Sequence, residues 1–220
     1  MIYPNTTKLN ISSRRLVELP DLSIYPNLEV LDCSANLLTK LNCLPCKLKC
    51  LDCKFNKFTQ LNNLPPNLEI LECSYNHIEQ LDNLPPSLKK LICNINRLKE
   101  LNNLPVNLEI LECNYNKLLH LTNLPTGLKE LICVKAELVE LDNLPPNLKK
   151  LDCSWNNITE LNNLPNTLIE LICYYNHIKE LSNLPSNLQI LNCFENPLIY
   201  NFIPSIQNIR EYYASLMLTC

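Results

Sequence analysis

Cys43, Cys46, Cys50 and Cys53 follow the spacing C-x2-C-x3-C-x2-C. In another context that is the pattern of a tetrahedral zinc site, in which paired thiolates close around one ion. The other cysteines are more regular: Cys33, Cys53, Cys73, Cys93, Cys113, Cys133, Cys153, Cys173 and Cys193 recur every 20 residues. Two residues after these stand Phe55, Tyr75, Ile95, Tyr115, Lys135, Trp155 and Tyr175, and one residue after stand Tyr174 and Phe194. Large amphipathic rings in such a row are anchors for a protein partner or a stack that stabilises its own scaffold. Asp32, Asp52 and Glu72 share a second column, with Lys49 and Lys54 nearby. His77, His120 and His177 are the histidines, and Gly127 is the single glycine. Whether any of these groups converge depends on the elements that carry them.

Those elements repeat. Leu28 to Leu188, Leu31 to Leu191, Leu41 to Leu181 and Pro45 to Pro185 keep the same 20-residue step. The unit reads LxxLxCxxNxLxxLxNLPxx, with nine copies of its first half between Leu28 and Leu198. It matches the leucine-rich-repeat signature with Cys at the sixth position. Leu31 and Cys33 lie two apart and point to one side of a strand, while residues 30, 32 and 34 point to the other. Each unit therefore supplies one short parallel strand, and stacking of units buries the apolar side that no single unit can bury. Asn36 and its counterparts form a side-chain ladder over the turn after the strand, and Leu38, Leu41 and Leu44 close the core.

The return path is about ten residues long and always carries Leu-Pro; the shortness and the proline argue against a helix there. Extended segments stack at nearly the strand spacing, so the solenoid is expected to curve gently. The predicted fold class is a repeat solenoid: a leucine-rich-repeat horseshoe with a parallel concave β-sheet, an extended, non-helical convex side and a short C-terminal capping helix. Residues 1–27 read as a divergent N-terminal capping repeat, in which Leu9, Ile11, Leu16 and Leu19 follow the unit loosely. Residues 28–198 hold the repeats, and 199–220 form the C-terminal cap. Pro204 and Ser205 are good helix-start residues, and Ile206, Ile209, Tyr213 and Leu216 have helical spacing within 205–218. One rung of the ladder is missing, because Ala136 replaces its Asn. A 40-residue period overlies the shorter one, as Glu72, Ile92, Glu112, Ile132, Asp152 and Ile172 alternate.

The 20-residue unit with Leu-Pro in its second half resembles the leucine-rich-repeat regions of bacterial type III secreted effectors. That resemblance implies an extended convex side and host-protein binding. The units with Cys at the sixth position and Asn-Leu-Pro, in a composition rich in Asn, Lys, Ile and Tyr, resemble uncharacterised leucine-rich-repeat proteins of giant DNA viruses of amoebae. The resemblance covers roughly residues 9–198. Some effectors carry a ubiquitin-ligase domain after the repeats; the residues after 198 are too few for one, so ligase activity is not expected.

The repeat register also sorts the chemistry. Cys43 falls on the return path, Cys50 on the concave strand face and Cys53 in the core, so the four thiols diverge and no metal or other cofactor is expected. The cysteine column reads as small buried core residues. His77 and His177 are five repeats apart, on the order of 24 Å. Ser34, Ser74 and Ser154 lie on the concave face, but no Ser, His and Asp constellation falls in one neighbourhood, and no glycine-rich loop exists to hold a phosphate. An enzyme is not expected. The acidic column is a solvated strip or a dock for a basic patch.

A net charge of -3 gives no reason to expect nucleic acid or a membrane surface. Thirteen cysteines without a recognisable secretory signal point to a reducing, cytoplasmic setting. The expected function is non-catalytic binding of a protein partner, possibly of a host cell, through the concave face. Tyr75, Tyr115, Trp155, Tyr174, Tyr175, Ile132 and Ile172 are the expected contact residues. The alternative is a structural or self-assembling repeat protein.

Overall fold

The computed structural model describes residues 2–217. Among the described residues, ten strands of three residues each form one parallel sheet in chain order. They are β1 (Lys8–Asn10), β2 (Val30–Asp32), β3 (Cys50–Asp52), β4 (Ile70–Glu72), β5 (Lys90–Ile92), β6 (Ile110–Glu112), β7 (Glu130–Ile132), β8 (Lys150–Asp152), β9 (Glu170–Ile172) and β10 (Ile190–Asn192). The register pairs Leu31 with Leu51 and Asp32 with Asp52, and continues one repeat at a time. Every column of the sequence is therefore a physical row across the solenoid.

The inward row is the one expected. Leu31 and Cys33, and their counterparts in the following seven repeats, are fully buried. Leu28, Leu38 and Leu41 complete each unit's core contribution, each buried leucine being worth about 1.5–3 kcal/mol over an exposed one. Cysteine fits its row because it is small and because its thiol is a weak donor. The Sγ of Cys93 lies 3.4 Å from the Glu112 carbonyl, and that of Cys133 lies 3.5 Å from the Asp152 carbonyl.

Above each strand the asparagine ladder binds the repeats together. Asn56 Nδ2 donates to the carbonyls of Cys33 and Cys53, both at 3.1 Å, and its Oδ1 accepts the N–H of Leu38 at 2.9 Å. One side chain thus satisfies backbone groups of two successive repeats, which buried backbone requires.

The return path has no helix. Each proline carbonyl accepts the N–H of the leucine three residues on, as in Pro65 and Leu68 at 3.2 Å. The asparagine before Leu-Pro now has a physical reason. Asn63, Asn83, Asn103, Asn123, Asn143 and Asn163 all take φ between 54° and 57°, the left-handed region that asparagine tolerates better than other side chains. Cys43 takes the same conformation, at φ 48°.

The repeat at Ala136 departs from the expected turn. Rather than leaving a plain gap in the ladder, it takes a second left-handed residue, Glu137 at φ 70°, beside Lys135 at φ 52°. Asn156 Oδ1 then accepts the N–H groups of both Ala136 and Leu138. The N-terminal segment uses the same device. Arg14 stands at the ladder position, Ser13 and Arg15 are left-handed, and Asn36 Oδ1 accepts the N–H of both Arg14 and Leu16.

Beyond β10, helix α1 (Ile206–Met217) packs against the last repeat. Ser205 caps it by accepting the N–H of Asn208 at 3.1 Å. Ile209 is buried, Arg210 donates to the carbonyls of Pro185 and Ser186, and the Tyr213 hydroxyl donates to Glu180 at 3.1 Å. Leu216, which its spacing would place inward, is exposed. Leu218 and Cys220 lie outside the described residues.

Candidate functional site

Residues 30, 32 and 34 and their counterparts form the open face of the sheet, and the residues two after each cysteine form its ascending rim. All nine rim residues from Ala35 to Glu195 are left-handed, with φ between 52° and 56°. Glycine or asparagine holds that conformation at least cost, and for other side chains it costs roughly 1–2 kcal/mol. The rim nevertheless carries Phe55, Tyr75, Ile95, Tyr115, Trp155 and Tyr175. The turn aims these side chains away from the core, and every one of the aromatics is exposed.

The structure divides the predicted contact residues into groups. Trp155 lies flat on Tyr175 with 4.0 Å between ring centroids, and Tyr174 meets Tyr175 edge-on at 5.8 Å. Ile132 and Ile172 are half-buried and flank Asp152 in the sheet register, on the strands beneath these rings. Tyr75 stands away from this cluster and stacks on Phe55 at 4.1 Å. Tyr115 joins neither pair; the Lys135 ammonium sits over its ring, 5.4 Å from the centroid.

The acidic column has a local structural task. Asp32, Asp52, Glu72 and Asp152 each accept the backbone N–H of the residue two positions on. Where isoleucine or Glu112 stands instead, the preceding repeat supplies the acceptor: Ser74 Oγ for Asn94, Asn94 Oδ1 for Asn114, and Asn114 Oδ1 for Val134. Tyr174 breaks the series. Its N–H finds no acceptor among the described residues, the Oγ of Ser154 in the preceding repeat being turned to Asp152. Burial raises the Glu72 carboxyl above the ordinary range, and the Asp52 hydrogen bond raises the Lys54 ammonium.

Cys43 and Cys46 are exposed, Cys50 is half-buried and Cys53 is buried. Among the described residues, no group of three or more His, Cys, Asp or Glu is arranged to hold a metal. His120 pairs with Glu140 at 2.8 Å on the return path, far from the rings. No helix among the described residues is long and apolar enough to cross a membrane.

Two features escaped the sequence reading. The free N–H of Tyr174 depends on which repeats lack an acceptor two residues earlier, and so on the three-dimensional series. The other is a row of cations, Lys57, His77, Arg97 and Lys117, two residues past the aromatic rim. It was legible as a column, but attention to the strand columns alone passes over it.

Comparison with known proteins bears on the fold. No family model and no curated protein matches the sequence. Among solved structures the chain is similar to YopM from Yersinia enterocolitica WA-314, at 39% identity and TM-score 0.84, covering 90% of this chain and 44% of that one. It is similar to the LRR domain of a Shigella effector at 28% identity and TM-score 0.53, covering 98% and 76%. It is also similar to the functional domain of InlJ from Listeria monocytogenes, described as including a cysteine ladder, at 25% identity and TM-score 0.53, covering 87% and 59%. The chain thus spans less than half the length of the Yersinia protein. The fold is a leucine-rich-repeat solenoid resembling the LRR domains of these bacterial proteins.

Proposed function

We propose that this leucine-rich-repeat chain is a non-catalytic module that binds a protein partner across the open, concave face and rim of its C-terminal half. Trp155, Tyr174 and Tyr175 are the anchors, with Ile132 and Ile172 beneath them; Tyr75 and Tyr115 stand apart from this cluster, further along the rim. The observation that carries this reading is the stacked Trp155–Tyr175 pair, held exposed in a backbone conformation unfavourable for both residues. Clustered, exposed Trp and Tyr dominate binding energies. The unaccepted Tyr174 N–H beside them offers a donor to a partner's carbonyl. The composition, rich in Asn, Lys, Ile and Tyr, supports a viral origin akin to the giant-virus repeat proteins, and with it a host-cell partner in a reducing cytoplasm.

The test is to identify the partner by affinity capture and mass spectrometry, then to measure its affinity for the chain and for Trp155→Ala with Tyr175→Ala. The double variant should bind more weakly by about 2 kcal/mol or more, with an unchanged circular dichroism spectrum. Tyr3→Ala is the control. Normal binding by the double variant would make the aromatic row a stabilising stack only.

A second reading, end-to-end self-assembly, is favoured by β10. Leu191 is half-exposed where its counterparts from Leu31 to Leu171 are fully buried, and Ile190 and Phe194 are exposed beside it. Sedimentation at several concentrations separates the readings, since only self-assembly makes the mass rise with concentration.

A further inference from the structure

Lys57, His77, Arg97 and Lys117 occupy one row, a single side chain per repeat, next to the rim residues Phe55, Tyr75, Ile95 and Tyr115. Phe55, Tyr75 and Ile95 line a shallow apolar ledge whose border is His77 and Arg97. On and beside the strands, Lys49, Lys89, Lys129 and Lys150 each pair with a glutamate, and Lys54 with Asp52. Lys57, Arg97 and Lys117 pair with no carboxylate among the described residues. The row ends at Glu137, where the sign of charge reverses. The apolar ledge of Phe55, Tyr75 and Ile95 thus runs beside a row of cations without carboxylate partners among the described residues.

We propose that this rim, from Phe55 to Lys117, is a second docking surface, and that its occupant is an extended acidic segment of a protein partner with an apolar side chain between its carboxylates. Charge complementarity selects the occupant. Three cations without counter-ions attract an anionic segment and reject a basic one, and exposed ring edges carry the positive part of the aromatic quadrupole, which also favours carboxylates. The dimensions agree. Three repeats at about 4.8 Å span about 14 Å, the reach of roughly four extended residues. Alternate side chains of such a segment then meet the ledge and the cations in turn.

Single-stranded nucleic acid fits this surface less well. Bases need free ring faces, but Phe55 and Tyr75 cover one another at 4.1 Å and Lys135 covers Tyr115. Asp52 and Glu72, on the neighbouring strands, would oppose phosphates. The proposal does not rest on the C-terminal cluster, where Glu137 and Glu195 flank the rings.

The experiment uses the full chain and three fluorescent probes: the peptide Glu-Leu-Glu-Phe-Glu-Leu-Glu, its counterpart with Lys for every Glu, and an oligothymidine. The acidic peptide should bind, should lose affinity as salt is added, and should shift the backbone NMR signals of Tyr75, Ile95 and Arg97. Arg97→Glu with Lys117→Glu should weaken it about tenfold or more, as should the milder Arg97→Gln with Lys117→Gln to a lesser degree. Trp155→Ala with Tyr175→Ala should leave its affinity unchanged, which separates this surface from the C-terminal one. The proposal is overturned if the acidic peptide fails to bind at millimolar concentration, if the basic peptide or the oligonucleotide binds as tightly, or if correctly folded charge variants bind it as the native chain does.

Discussion

The side-chain oxygen of Asn156 accepts the backbone N–H of Ala136 at 3.0 Å. Among the described residues, only Asn36 makes the matching bond, to Arg14 one repeat earlier. In every regular repeat the same oxygen serves the leucine, isoleucine or phenylalanine two residues further on, as Asn96 serves Ile78. The extra bond marks a turn that has rearranged because its own ladder amide is missing.

Restoring that amide is the first prediction. Leu118 N–H, whose counterparts from Leu16 to Ile178 bond a ladder oxygen, has no such acceptor among the described residues, and Cys113 O receives one ladder donor where Cys93 O receives two. Ala136→Asn should return the turn to the regular form and release Glu137 from φ 70°. Each hydrogen bond is worth about 0.5–1.5 kcal/mol net, partly offset by loss of the Asn156 bridge, so stability should rise by about 1 kcal/mol. An unchanged or lower urea midpoint would mean that the rearranged turn is already as stable as the regular one.

Gly127 is a second missing rung, on the return side. Asn67, Asn107, Asn147 and Asn187 each donate to a carbonyl of the preceding repeat, and Ser87 and Thr167 do so with shorter side chains. Gly127 has no side chain to reach Val106 O, yet a Cβ there would meet that oxygen at an ordinary 3.6 Å, and its φ is not positive. Gly127→Asn should therefore stabilise the chain by about 1–2 kcal/mol, from the new hydrogen bond and from a less flexible unfolded chain. A fall in melting temperature would show that the return turn at 127 needs glycine.

How much of this was legible in the sequence depends on what a column can say. Spacing alone assigns Leu31 and Cys33 inward and Asp32 outward, because strand geometry leaves no other choice once the period is known. The left-handed turns at Asn63 and Tyr75 were not legible, since the repeat pattern names residue types but not backbone angles. Nor was the division of the aromatic row. Phe55 with Tyr75 and Trp155 with Tyr175 pair because adjacent repeats both carry rings; Ile95 and Lys135 interrupt the row and leave Tyr115 to a lysine. The repair at Ala136 belongs to the same class, since the missing amide can be read but not the neighbour that compensates for it.

The cysteine row makes the chain sensitive to alkali. Burial pushes the thiols of Cys33 and Cys113 up to about 12 and that of Cys193 up to about 11, from an ordinary 9.0. A thiol whose native value is raised holds its proton longer when folded than when unfolded. Its contribution is intact below pH 9 and is lost as pH rises from there toward the native value. Each such thiol removes up to about 1.4 kcal/mol per pH unit in that window, so the denaturation midpoint should fall steeply between pH 9 and 11. Native labelling at pH 8 should reach Cys43, Cys46 and more slowly Cys50, while the nine row thiols react only after denaturation. Fast native labelling of most thiols would refute the inward assignment.

The last prediction concerns what the Trp155–Tyr175 stack does without a partner. The rings lie 4.0 Å apart and nearly parallel, with an interplanar angle of 23°. Such a pair contributes about 0.5–1.5 kcal/mol beyond the area it covers. A double-mutant cycle on Trp155→Ala and Tyr175→Ala, measured by urea unfolding of the isolated chain, isolates that coupling from the loss of either ring alone. The expected coupling lies in that range, smaller than the loss of about 2 kcal/mol or more expected in partner binding. If the coupling in stability equals or exceeds the loss in binding, the stack exists for the scaffold, and the contact surface moves to the cationic rim of Arg97 and Lys117. If the singles add with no coupling, the rings are not in contact in solution, and their strained, exposed placement is left to binding alone.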